Sequence, residues 1–226
     1  MPMMKDEDKK ALSGVFAKLQ NEVKIVMFSQ EHECQYCVAT RELLTEVAAL
    51  SDKITLEVLD FVKDAEKAKE YGVDKIPATI MLGGDTDYGI RFYGVPAGYE
   101  FATLVQDIVQ VSTRDAGLGD DVKMLLAQVD KPMHIQVLVS PTCPYCPKAV
   151  LAAHKFAMQS FLVRSDMVEI SEFPHLAVKY DVQGVPQIVV NEDVRIPGAL
   201  PELDLAKVLV HTMMHEHGEG HHGHTH

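Results

Sequence analysis

The chain has 226 residues with 33 acidic and 21 basic side chains, a net charge of −12 at neutral pH. It therefore has no basic surplus with which to displace counterions from a phosphate backbone, which excludes nucleic acid as a partner. Hydrophobic residues make up 47% and charged residues 24%, which excludes a largely disordered chain and suits two domains of roughly 110 residues, each with its own core. No segment stays apolar for the roughly 18 residues of a membrane span, and residues 1–10 are charged where a secretory leader would be apolar. No membrane association is expected, and the expected location is cytoplasmic.

In chain order, Leu12, Val15, Phe16 and Leu19 fall at helical spacing over residues 6–19, and an apolar strand follows over 23–28. After a polar loop, Cys34 is expected to open a helix with an apolar stripe of Leu43, Leu44, Val47 and Leu50. A strand over 54–59 and a short charged helix over 63–71 come next. Two β runs, 78–82 and 90–93, flank Gly83-Gly84-Asp85 and read as a hairpin. A helix over 99–111, with Phe101, Leu104, Val105 and Ile108 inward, closes the first half. Gly117, Gly119 and Asp120 interrupt the apolar period and place a domain junction near residue 116.

The same order then returns. A helix over 122–129 is followed by a strand over 135–139 and a helix opened by Cys143 that carries Ala149, Val150, Ala153 and Phe156. A strand over 162–170, a short helix ending near Tyr180, β runs over 187–190 and 194–196 and a helix over 201–214 complete it. Forty-three residues separate Cys34 from Pro77, and the same number separate Cys143 from Pro186. At the 109-residue offset between Cys34 and Cys143, Tyr71, Val73 and Ile76 meet Tyr180, Val182 and Val185, which marks an internal duplication. The expected organisation is a domain over 1–116, a second over 117–214 and a His-rich tail over 215–226.

All four cysteines lie in Cys34-Gln35-Tyr36-Cys37 and Cys143-Pro144-Tyr145-Cys146. Partners three residues apart cannot tie distant segments together, so the pairs read as reagents: at a helix start the two sulfurs face each other and form a reversible two-electron switch. A Cys₄ zinc site spaces its pairs roughly 15 to 20 residues apart, whereas Cys37 and Cys143 stand far apart in this sequence. No metal is assigned to the cysteines.

A strand, a Cys-x-x-Cys helix, a strand, then an apolar-Pro dipeptide opening a hairpin and a last helix resembles the thioredoxin-like fold, and each half carries it. The fold class expected is α/β, with two tandem thioredoxin-like domains, each a central mixed sheet flanked by helices. The tandem, with a glutaredoxin-like Cys143-Pro144-Tyr145-Cys146 motif, resembles the two-domain protein disulfide oxidoreductases.

The resemblance implies thiol–disulfide exchange on disulfide-containing proteins, with Cys34, Cys37, Cys143 and Cys146 catalytic. It implies cis bonds at Ile76-Pro77 and Val185-Pro186, where the preceding backbone receives a peptide as an added strand. Tyr36 and Tyr145 are expected to cover one side of each pair, as packing or as a substrate contact. Implied partners are a thioredoxin reductase-like or glutathione electron donor and peroxiredoxin clients. No cofactor is expected, because the cysteines carry the electrons. Thioredoxins keep a buried carboxylate six residues before the first cysteine; Phe28 and Val137 stand there in this sequence, so proton traffic is expected through water or a group such as Glu33.

The two sites are expected to differ. Glu31 and Glu33 beside Cys34 disfavour a thiolate, with His32 acting oppositely when protonated, whereas Pro141, Thr142 and a helix-initiating Pro144 surround Cys143. Cys143 is therefore expected to have the lower pKa and to carry most of the exchange, with the first site a relay or the site of a narrower partner. His134, His154, His175 and His211 read as ordinary surface or core residues, and the tail as a solvated end with affinity for nickel, zinc or copper. Alternative functions are an electron-carrier module that reduces a peroxiredoxin, a non-catalytic peptide-binding holdase, and a metal-binding protein led by its tail.

Overall fold

The computed structural model describes residues 4–215; the tail expected over 215–226 lies, beyond His215, outside the described residues. The first half runs α1 (Asp6–Phe16), β1 (Val23–Ser29), α2 (Cys37–Ala48), β2 (Ile54–Asp60), α3 (Ala65–Glu70), β3 (Ala78–Gly83), β4 (Thr86–Tyr93) and α4 (Glu100–Thr113). The second runs α5 (Asp120–Leu126), β5 (Met133–Val139), α6 (Cys146–Gln159), β6 (Val163–Glu169), α7 (Pro174–Lys179), β7 (Gln187–Val190), β8 (Val194–Pro197) and α8 (Glu202–His215).

All eight strands join one mixed sheet in the order β2-β1-β3-β4-β6-β5-β7-β8. Within each half the first two strands are parallel and the hairpin antiparallel. The halves meet where β4 pairs in parallel with β6, from Ile90 opposite Ser165 to Tyr93 opposite Val168. Strands buried on both faces are near-continuous apolar runs, as in Val23–Ser29 and Met133–Val139. Successive side chains serve opposite faces. Met27 and Phe92 enter the larger core with Leu44, Leu104, Phe156 and Leu209, while Phe28 and Tyr93 enter the smaller one under α3 and α7 with Ala68 and Leu176.

Two departures from the sequence reading have local causes. β4 begins at Thr86 rather than 90, because the hairpin turns over two residues and the register shifts between Met81 and Leu82. That irregularity, with Gly89 at φ +76°, breaks the period-two pattern that would have marked the strand. The cysteine helices begin at the second cysteine of each pair rather than the first, with Tyr36 and Tyr145 as N-caps.

Besides the sheet, a strap over residues 94–99 ties the halves together. The amide of Val95 donates to Glu172 Oε1 at 2.7 Å and that of Tyr99 to the carbonyl of Pro141 at 3.2 Å. Between them Gly98 has φ +61°, and a Cβ there would lie 2.2 Å from the Pro141 oxygen. Gly117, at φ +63°, meets nothing within 4 Å. Gly98→Ala should therefore lower stability in urea titration by about 1–3 kcal/mol, more than Gly117→Ala, which suffers the backbone strain alone.

Candidate active sites

Each cysteine pair sits in the loop that leaves the end of a central strand. Ala78 pairs with Phe28 and Gln187 with Leu138. Pro77 and Pro186 thus stand one residue outside the last rungs of β1 and β5, at the end where the chain departs for the cysteines. The Ile76-Pro77 and Val185-Pro186 bonds are both cis. Both prolines are buried, while Ile76 and Val185 are half-buried. β1 is antiparallel to β3, β3 to β4, and β4, β6 and β5 are mutually parallel, so β1 and β5 point the same way. Both sites therefore open at the same end of the strands, four strand spacings apart, or about 19 Å.

Both pairs are disulfides, with Cα atoms 5.5 Å apart in each. Their surroundings differ. Cys34 is half-buried, and Glu31, His32 and Glu33 before it are exposed. Cys143 is 6% exposed, and the amide of Cys146 donates to its Sγ at 3.1 Å. That amide is one of the free donors at a helix start, and it aims its partial positive charge at the sulfur that would carry a thiolate. Among the described residues the first site has no counterpart to this bond. There the amide and hydroxyl of Thr40 both donate to the carbonyl of Tyr36, at 3.0 and 2.9 Å, closing the first turn of α2.

Pro144 precedes the N-cap instead of opening the helix, and the proline within the first turn of α6 is Pro147. Tyr145 is 72% exposed and Tyr36 half-buried, so Tyr145 presents most of its ring to solvent.

The sequence reading missed a buried polar group beside the second site. On α4, Glu100, Thr103 and Asp107 are all buried at i, i+3 and i+7. Thr103 Oγ1 donates to Glu100 Oε2 at 2.7 Å, and Asp107 Oδ2 lies 2.6 Å from His154 Nδ1 on α6. From that contact, seven residues back along α4 lead to Glu100 and eight back along α6 lead to Cys146, about 10–12 Å each at the helical rise. The Tyr99–Pro141 hydrogen bond joins the same two ends, so Glu100 lies at the Cys146 end of the contact between the helices.

Burial pushes the Glu100 carboxyl up to about 7, opposed by the Thr103 hydrogen bond and the His154 charge. Burial likewise raises Asp107, against the pull of His154. His154 is a core residue, as the sequence reading had it, with a buried acidic partner in Asp107. The available signal was the shared stripe of Glu100, Thr103 and Asp107, which runs beside the apolar one.

The family model of the thioredoxin domain matches residues 21–106 and 133–211. An alkyl hydroperoxide reductase of Pseudomonas aeruginosa is 27% identical over 152 residues, covering 67% of this chain and 27% of that protein. A NADH dehydrogenase of Ferdinandcohnia aciditolerans is 24% identical over 156 residues, covering 66% of this chain and 30% of that protein. The chain thus spans under a third of the length of these curated relatives. Among solved structures, a protein disulfide oxidoreductase from Aeropyrum pernix superposes with a TM-score of 0.87 at 30% identity, covering 93% of this chain and 94% of that one. The NTD_N/C domain of alkylhydroperoxide reductase from Enterococcus faecalis gives 0.85 at 29%, covering 91% and 99%. Since the family model covers well over half of the residues, in two stretches that each contain one Cys-x-x-Cys pair, the chain belongs to the thioredoxin domain family.

Proposed function

We propose that the protein is a thiol–disulfide oxidoreductase acting on protein disulfides in the cytoplasm, through two domains, 1–116 and 117–214, with one couple each. The observation that carries this reading is the Cys143–Cys146 couple at a helix start, with the Cys146 amide on the Cys143 sulfur. In the reduced form the Cys143 thiolate attacks a client disulfide, and the displaced client sulfur takes up a proton. Cys146, deprotonated, then attacks Cys143 Sγ, closes the intramolecular disulfide and releases the second client thiol. Two electrons pass to the client, and a thioredoxin reductase-like protein or glutathione returns them. Cys34 and Cys37 act likewise in the first half.

Ile76 and Val185 offer their backbones to the client beside Pro77 and Pro186, and Tyr36 and Tyr145 flank it. Glu100, whose carboxyl titrates near neutral pH, is the proton carrier for Cys146.

A second reading is favoured by the similarity to two proteins named as alkyl hydroperoxide reductases: the chain passes electrons to a peroxiredoxin. The chemistry at the couples is the same in both readings, and the client differs.

With insulin and dithiothreitol, exchanging both Cys34 and Cys143 for Ser should abolish disulfide reduction, whereas full activity in that variant would leave a peptide-binding holdase. Cys143→Ser alone should remove more activity than Cys34→Ser. When only one couple is retained, alkylation against pH should show a midpoint for Cys143 about one unit below that for Cys34; equal or reversed midpoints would overturn the asymmetry. Because about 19 Å separates the sites, electrons loaded on one couple should reach the other through a second molecule. The rate of equilibration, read by quenched mass spectrometry, should rise in proportion to protein concentration, and a concentration-independent rate would establish direct transfer.

A further inference from the structure

The contact between α4 and α6 holds three ionisable side chains with almost no solvent access: Glu100 at 2%, and Asp107 and His154 at 0% exposure. Taking such groups out of water is costly, and a helix contact that only fastened two halves together would be as stable or more so with apolar residues. Their pairing is also incomplete. Glu100 Oε1, Asp107 Oδ1 and His154 Nε2 are all buried without a hydrogen-bond partner. The ring of His154 is fixed on two sides, by Asp107 at Nδ1 and by the face-to-edge contact with Phe92, whose ring centre lies 5.0 Å away. That leaves Nε2 as the unpartnered end of an oriented imidazole, across the helix contact from the row Asp107, Thr103 and Glu100.

We infer that His154, clamped by Asp107 across the contact between the halves, is a positioning residue that sets when Glu100 gives up and regains the proton it exchanges with Cys146. This rests on the proposed role of Glu100 at the second couple. When an incoming thiolate attacks Cys143 Sγ, the sulfur–sulfur bond breaks and Cys146 leaves as a thiolate. The Glu100 carboxyl gives its proton to that sulfur and becomes a carboxylate, which solvent later reprotonates. The His154 charge pulls the Glu100 carboxyl down and so favours the carboxylate that this step creates. The charged and polar groups facing Glu100 are Thr103 and Asp107 from its own helix and His154 from α6; Lys155, paired with Glu202 at 2.7 Å, acts on Asp107. First-half residues thus furnish part of the second site.

The test uses the full chain with carbon-13-labelled glutamate side chains, Glu100 being assigned by its loss in Glu100→Gln. His154→Gln should raise the Glu100 titration midpoint by about one pH unit. It should shift the pH profile for reduction of Cys143–Cys146 by dithiothreitol in the same direction, while the profile for Cys34–Cys37 stays put. A merely structural role would lower the melting temperature and leave the midpoint where it was, which overturns the inference. Should His154→Gln not fold, the wild-type imidazole signals decide: an inflection at the Glu100 midpoint that disappears in Glu100→Gln supports the coupling, and its absence refutes it. If Glu100→Gln itself leaves the second-site profile unchanged, the proton-carrier reading fails, and this inference with it. If Glu100→Gln flattens that profile but His154→Gln leaves the midpoint unmoved, this inference alone fails.

Discussion

The parallel pairing of β4 with β6 is the constraint on which the arrangement of both sites depends. It merges two four-stranded units into one sheet, and it is fastened from below by a buried carboxylate. Asp166 on β6 has no solvent exposure and is met by His134 Nε2 at 2.6 Å and by Arg164, whose Nε lies 2.9 Å away. Burial alone would push that carboxyl up, but the hydrogen bond and charge of His134, with the charge of Arg164, hold it well below the usual carboxylate range. Arg164 also donates to the carbonyl of Gly72 at 2.8 Å and to the hydroxyl of Tyr93 at 2.7 Å, both in the other half. The guanidinium that partners this buried charge is thus itself held by acceptors of the other half, and a slip between the halves would strip it of them.

The same pairing breaks the symmetry of the duplication. β2 and β6 are equivalent strands of the two halves, yet β2 forms the edge of the sheet and β6 lies inside it. Glu57 of β2 is partly exposed and pairs with Lys24 and Lys67, an arrangement that water would largely satisfy by itself. Its counterpart Asp166 is covered by β4 and needs partners of its own. At the other end of the sheet, β8 spans four residues where β4 spans eight, since β8 has no further strand to meet.

Symmetry is broken at the sulfur couples for a related reason. The strap over residues 94–99 and the first turn of α4 belong to the first half but rest against the loop that carries Cys143. Cys143 is thereby enclosed and bonded to a helix amide, with Glu100 buried at the same end of the contact between α4 and α6, while Cys34 has open acidic neighbours. Low dielectric strengthens both the amide's effect on the sulfur and the coupling among Glu100, Asp107 and His154. One motif thus acquires two environments.

The sequence by itself determined what is local or periodic. The four cysteines, the equal spacing to Pro77 and Pro186 and the alternation of helical and strand patterns were enough to identify the duplicated fold and both couples, because those features depend only on residue type and separation. Boundaries were less legible where pattern and geometry part, as at Thr86–Tyr93, whose bulge hides its period, and at the helix starts, which fall at Cys37 and Cys146. The tertiary structure decided which equivalent strand is covered, that both couples lie at the same end of the strands, and that Glu100, Asp107 and His154 converge. The physical reason is that burial is set by what the other half places on top, and no spacing within one half carries that information.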